Sequence, residues 1–187
     1  MPPDTVNDLP LHALAVHGTV VLVPLAALLG LLFAVPRLRR WSHLPLALVA
    51  LAAAGSVWVS VQSGHNLDEA GGIGAAGIGG PVAELVERHE ELAEQLQWMV
   101  WGYALVAVVA VVLYRRSAAG ARSETDGDRR TGEGAGQRSG LVVTGLSVLL
   151  VLGAVTVGVQ TYRVGDVGST AVWNPTGSVD YSGSDEG

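Results

Sequence analysis

Residues 140–162 read GLVVTGLSVLLVLGAVTVGVQTY, and this stretch decides the class of fold. It contains no Asp, Glu, Lys, Arg or His. A helix of about 20 predominantly apolar residues is long enough to cross the roughly 30 Å hydrocarbon core of a lipid bilayer. The stretch therefore predicts a transmembrane helix.

Three more stretches are similarly apolar and contain no Asp, Glu, Lys or Arg, at residues 11–35, 44–63 and 95–114. The whole chain agrees with them, because 49% of its residues are hydrophobic, only 15% are charged and the mean hydropathy is +0.40. Soluble domains rarely combine such values. We expect an all-α fold: an integral membrane bundle of four transmembrane helices in a lipid bilayer.

Arginine residues are concentrated in two of the segments that link these stretches. Nine of the 11 basic residues lie in residues 36–43 and 115–139. Cytoplasmic loops of membrane proteins carry an excess of basic residues, so both segments are predicted to face the cytoplasm. A multi-pass protein of the cell membrane with both termini extracytoplasmic follows. Because Arg37 is the first basic residue, we expect the first helix to be retained and not cleaved as a signal.

These features divide the chain into five parts. We expect an outer N-terminal segment at 1–10, the first three transmembrane helices at 11–114, a disordered cytoplasmic loop at 115–139, a fourth transmembrane helix with an outer segment at 140–173, and a flexible acidic tail at 174–187. Within 11–114, a Gly-rich apolar loop at 71–80 precedes the third helix.

The third helix is predicted to extend beyond the membrane on the outer side. From Pro81 onwards apolar residues recur at helical spacing and glutamates cover the opposite face. No helix breaker separates this part from residues 95–114, so we expect one helix from Pro81 to Tyr114 that rises about 20 Å above the hydrocarbon. The apolar face consists of Val82, Leu85, Val86, His89, Leu92, Ala93 and Leu96.

Several chemistries are excluded by composition. The chain has no Cys, which removes disulfides and thiolate ligands, and its net charge of −6 does not suit nucleic acid. The run His89-Glu90-Glu91-Leu92-Ala93 lacks the second His of a zinc-protease motif. We expect no enzymatic activity.

Four of the five histidines lie near the predicted outer interface, and these are His12, His17, His65 and His89. Imidazole is a common ligand of metals and of haem iron, and helical bundles hold haem between facing histidines. This pattern predicts a site for b-type haem or a metal ion held by His17 and His89, with His12 or His65 assisting. Each ligating ring would donate its second N–H to a carbonyl or a carboxylate, and Glu90 and Asp68 could serve as such groups. The alternative interpretation is that each ring is a hydrogen-bonded strut with no ligand.

Three patches resemble a family of small membrane proteins, the domain of unknown function 2231. The segment from Leu9 to His17 is similar to the entry of that family's first helix, and Val86–Glu90 is similar to its second histidine motif. Residues 162–173 resemble its terminal signature. Ala13 and Gly18 depart from the family pattern at the helix entry. The resemblance implies four helices with His12, His17 and His89 on the outer side, and it implies no established activity.

Two functions remain open from the sequence. One is a non-enzymatic membrane subunit with an outer histidine site, serving electron transfer or a respiratory or envelope complex. The other is a cofactor-free structural protein that docks another membrane or envelope protein through the acidic outer helix. A transporter is disfavoured because the predicted spans contain no charged residue.

Overall fold

The computed structural model describes residues 5–6, 9–69, 80–123 and 133–178, and within them the side chains of 6, 9–10, 67–69, 121–123 and 133–140 are not described. Four helices account for nearly all of these residues: α1 Leu11–Ala34, α2 Arg39–Glu69, α3 Pro81–Ser123 and α4 Glu133–Trp173. Before them, β1 Thr5–Val6 pairs antiparallel with β2 Leu9–Pro10. The predicted four-helix architecture is confirmed.

The helices run alternately up and down and form a closed ring. Each packs on the next along the chain, and α4 returns to pack on α1. The helices α1 and α3 are therefore parallel to each other, and α2 and α4 run the opposite way. We call the end where α1 begins and α4 ends the histidine end, and the end where α1 passes into α2 the arginine end. These names refer to His12 and His89 at one end and Arg37, Arg39 and Arg40 at the other.

All four helices are long and apolar enough to cross a membrane. Their outward faces expose large apolar side chains, whereas the bundle interior is filled mainly by Ala, Val and Leu. In water such an exterior would be unfavourable, but it suits contact with lipid tails. The chain is a multi-pass membrane protein.

The predicted single third helix is confirmed, but the disordered loop predicted at 115–139 is wrong at both ends. The helix α3 continues to Ser123 and α4 already begins at Glu133. Residues 115–119 contain no Gly or Pro to end the helix, and the Ser117 hydroxyl donates to the Leu113 carbonyl at 3.0 Å. The remaining positions 124–132, the Gly-rich residues 70–79 and the tail residues 179–187 lie outside the described part of the chain.

Tyr103 fixes the centre of the bundle by reaching from α3 to α1. Its hydroxyl donates to the Ala26 carbonyl at 3.0 Å. The ring fits against two glycines: a Cβ on Gly30 would overlap the hydroxyl, and a Cβ on Gly153 of α4 would lie 2.9 Å from Cδ2. Only residues without a side chain leave room for the ring, so Tyr103 brings α1, α3 and α4 into one packed layer.

Arg39 closes the junction between α1 and α2. Its guanidinium donates to the Phe33 carbonyl at 3.0 Å and lies over the Phe33 ring, 5.2 Å from the centroid. A second nitrogen donates to the Ser147 hydroxyl of α4 at 3.1 Å. A cation at the C-terminal end of a helix is favourable because the last carbonyls are unpaired and partially negative. Arg39 therefore caps α1 and links it to α4.

Replacement of Gly30 by Ala should destabilise the bundle. The added methyl overlaps the Tyr103 hydroxyl, and overpacking of this kind costs about 1–3 kcal/mol. The matched control is Gly55→Ala on α2, where a Cβ would meet nothing within 4 Å. Reversible unfolding in detergent measures the free energy of unfolding of both variants. The double variant Gly30→Ala/Tyr103→Phe should recover part of the loss, and equal stability of the two glycine variants would contradict this packing.

Candidate functional site

His12 is held by the neighbouring helix α2. Its Nδ1 donates to the Ser60 carbonyl at 2.9 Å, and its ring lies over Gly64, where a Cβ would be 3.2 Å from Cε1. A carbonyl oxygen can only accept, so Nδ1 carries the proton in this contact. Nε2 then keeps its lone pair. The ring is half-buried at the histidine end of the bundle.

His89 is held in the same way by α4. Its Nδ1 donates to the Val164 carbonyl at 3.1 Å, and a Cβ on Gly168 would lie 2.9 Å from its Cε1. The contact again places the proton on Nδ1 and leaves the Nε2 lone pair available. The predicted apolar face of α3 positions this ring, because Leu92 and Leu96 on the same face are buried.

The electrostatic environment of His89 keeps its ring neutral. The residue lies among the exposed glutamates of α3, before the apolar stretch 95–114 that is predicted to cross the membrane. Burial lowers the pKa of His89 below its ordinary value of 6.5, the hydrogen bond to Val164 opposes this, and the charge on a protonated His12 lowers the pKa further.

The other predicted ligands point elsewhere. His17 is exposed, and its Nδ1 contacts the Ala13 carbonyl of its own helix. His65 has its Nε2 at 3.4 Å from a Glu94 carboxylate oxygen, so the nitrogen that would bind a metal faces an acid. His12, like His89, is half-buried and hydrogen-bonded to a neighbouring helix, whereas His17 is exposed and bonds its own helix.

The groups that orient the rings are backbone carbonyls. We expected a carbonyl or a carboxylate, with Glu90 and Asp68 as candidate carboxylates, and His12 and His89 donate to the carbonyls of Ser60 and Val164. Asp68 lies outside the described side chains. A carbonyl is present at every position, so sequence reasoning could not select these two. The glycines four residues later in each helix were the available signal, since only a glycine lets an imidazole lie against a helix backbone.

Polar side chains continue below the two rings. The Thr19 hydroxyl is 2.9 Å from the hydroxyls of Ser56 and Ser60, and the Gln160 amide donates to the Leu92 carbonyl at 3.0 Å. The Oε1 atom of Gln97 is buried without a hydrogen-bond partner in the described part of the chain. Buried polar atoms are normally paired. The interior of the histidine half therefore contains polar side chains among its apolar residues.

The arrangement offers two imidazole nitrogens and no larger ligand set. Among the described residues, no group of three or more His, Asp or Glu side chains is close enough to hold a metal ion. Two histidines suffice as the protein ligands of a haem iron, whose other four ligands come from the porphyrin. A bare ion would complete its coordination with water or another molecule.

The fold and these contacts define a membrane-spanning four-helix bundle with two backbone-anchored histidines at one end. Comparison of the chain with protein families, with curated proteins and with solved structures finds no match. The resemblance to the domain of unknown function 2231 family stays a prediction. The case for a function rests on the site itself.

Stability should depend on pH through His89. Its folded-state pKa is lowered, so the unfolded chain binds a proton first as the pH falls below 6.5. The stabilisation from the neutral ring is fully present above pH 6.5 and is lost as the pH falls from there through the folded-state pKa. Unfolding free energies of wild type and His89→Asn, measured in detergent between pH 8 and 5, should converge at acidic pH. A constant difference over this range would contradict the assignment.

Proposed function

We propose that the protein is a non-enzymatic membrane subunit that binds one metal centre between His12 and His89 and serves electron transfer in a membrane or envelope complex. The observation that carries this proposal is the shared anchoring of the two rings. Each Nδ1–H donates to a carbonyl of a neighbouring helix. Histidines that ligate metals are oriented by such a bond, which also makes the other nitrogen more basic.

The protonation state of the rings supports the same function. A histidine binds a metal only when it is neutral, so protons compete with the metal. Burial of His89 lowers its pKa and keeps the ring neutral at physiological pH. The carbonyl contacts fix the tautomer in which Nε2 keeps its lone pair, so no change of tautomer is needed before binding.

The position of the site suits a subunit more than an enzyme. A haem or copper centre held there would supply one-electron transfer, and the chain's own residues would hold the metal and limit its access to water. The buried hydroxyls of Thr19 and Ser60 lie on the side of the rings that faces the bundle interior. Charged residues of α3 lie on the opposite side, at the histidine end. The site would be reached from the end of the bundle and not from the lipid.

A second function is favoured by the surface of α3. Glu84, Glu87, Glu91 and Glu94 are exposed along one side of the helix. A carboxylate stripe of this kind could dock a basic surface of another membrane or envelope protein, with the histidines serving only as struts. This reading requires no cofactor.

We propose that the histidine end faces the outside of the cell membrane, because the arginine end carries the positive charge typical of the cytoplasmic side. A reporter active only outside the cytoplasm should work when fused after Gly187 and should fail when inserted at Gly127. A reporter active only inside should give the opposite result. The reverse pattern would place the histidine site in the cytoplasm.

The proposed metal centre should give the purified protein a defined optical spectrum and a defined metal content. Protein purified from haem-replete, metal-replete cells should contain one haem or one transition-metal ion per chain, seen as a Soret band or by elemental analysis. His12→Ala and His89→Ala should each remove it, because each deletes a ligand. His17→Ala is the matched control and should leave it unchanged, since His17 is exposed and bonds its own helix.

The wild-type protein purified from these cells distinguishes the metal-centre function from the docking function. A colourless, metal-free wild-type protein from these cells would rule out the metal centre and leave the docking function. Loss of the centre in His17→Ala together with its retention in His12→Ala would show that the wrong pair of histidines has been assigned.

A further inference from the structure

The two hairpins α1–α2 and α3–α4 repeat the same contacts. His12 donates to the Ser60 carbonyl and packs on Gly64, four residues later; His89 donates to the Val164 carbonyl and packs on Gly168, again four residues later. Equivalent positions are separated by a fixed number of residues. On the odd-numbered helices, α1 and α3, the separation is 77 (89 − 12), and on the even-numbered helices, α2 and α4, it is 104 for both pairs (164 − 60 and 168 − 64).

An independent contact obeys the same two offsets. The Ser56 hydroxyl donates to the Ala15 carbonyl at 3.4 Å, and the Gln160 amide donates to the Leu92 carbonyl at 3.0 Å. Here 160 − 56 is 104 and 92 − 15 is 77. In both hairpins a polar side chain of the second helix therefore bonds a carbonyl of the first helix, one turn inward from the histidine.

The buried residues of the core are related by the same two offsets. On the odd helices, Thr19, Val23, Ala26, Gly30 and Phe33 are buried, and so are the residues 77 positions later, Leu96, Val100, Tyr103, Ala107 and Ala110. On the even helices, Leu46, Ala50 and Ala53 are buried, and so are Leu150, Ala154 and Val157, 104 positions later. Because α1 is parallel to α3 and α2 to α4, the operation that superimposes the hairpins is a two-fold rotation about the bundle axis.

We propose that His12 and His89 are equivalent ligands of a single centre on this pseudo-two-fold axis, and that the centre is a metal offering two equivalent coordination positions. This rests on the proposed function and narrows it. The two faces of a haem iron, or two positions on a bare copper ion, meet the requirement. A centre with one essential histidine and one auxiliary group does not meet this requirement. Two separate sites, each with one histidine, do not meet it either.

The equivalence extends to the groups that orient the ligands. The carbonyls of Ser60 and Val164 fix the two tautomers, and Gly64 and Gly168 set how closely each ring approaches its helix. A methyl group at either glycine pushes the ring away from its carbonyl. The displacement is larger at Gly168, where a Cβ would lie 2.9 Å from the ring, than at Gly64, where the distance is 3.2 Å.

The test uses the purified full chain in detergent. One series of titrations measures its binding of haemin, and a second series measures its binding of Cu²⁺. We expect one equivalent per chain for the probe that binds. His12→Ala and His89→Ala should weaken its binding by similar factors, at least about tenfold each. Gly64→Ala and Gly168→Ala should weaken it by about 10- to 100-fold, the usual effect of losing a group that orients a ligand.

Matched controls lie on the same two helices. Gly55→Ala on α2 and Gly158→Ala on α4 place a methyl where nothing lies within 4 Å, so binding should equal that of wild type. Gel filtration and circular dichroism establish that each variant is folded, and the glycine variants keep the test decisive if a histidine variant misfolds. Two equivalents per chain, or loss of binding in only one of the two histidine variants, would overturn the proposal.

Nuclear magnetic resonance of ring-¹⁵N-labelled histidine distinguishes failure of this proposal from failure of the proposed function. In the metal-free protein, His12 and His89 should both carry the proton on Nδ1. If wild type binds neither probe, the proposed function fails and the shared centre with it. If wild type binds a probe and the two rings adopt different tautomers, the metal centre stands and the equivalence of its ligands is overturned.

Discussion

The absence of water from the hydrocarbon core is the constraint on which this structure depends. A polar atom inside the membrane is unfavourable unless it finds a partner in the protein, because lipid tails offer none. The Tyr103 hydroxyl, the Thr19 hydroxyl and the Gln160 amide all satisfy this demand on another helix. Burial of apolar surface drives helix association weakly in lipid, so close packing must supply the rest. The glycines beside Tyr103 allow that packing, and the hydrogen bonds select its register.

The number and position of the helices could be predicted from the sequence, because crossing a bilayer requires long apolar runs and four are present. The helix ends were harder to predict. Composition suggested disorder for 115–139, yet a helix ends where a residue interrupts it, and none does so directly after Tyr114. Polar composition shows that a segment cannot form a buried core, but it does not prevent the segment from continuing a helix that the membrane already stabilises.

The candidate site shows the same limit at the level of side chains. Helical periodicity placed His89 on the inward face of α3. Periodicity could not say which of His12 and His17, five residues apart on α1, faces inward. The rotation of α1 decides that question, and it is set by distant contacts such as Thr19 with Ser60. The repeat of the hairpins was hidden because only a few equivalent positions, including His12 and His89 or Gly64 and Gly168, carry the same residue.

Arg39 has a consequence for how the protein is made. Its guanidinium caps α1 from the start of α2, so the first hairpin can stabilise its own turn as soon as both helices leave the ribosome. Its other nitrogen bonds Ser147, which is synthesised 108 residues later. That nitrogen also donates to the Ala34 carbonyl at 3.4 Å, so before α4 enters the bilayer only the N–H that will bond Ser147 needs water or lipid headgroups. Arg39 therefore stabilises the first hairpin and, once α4 is present, also links that hairpin to α4.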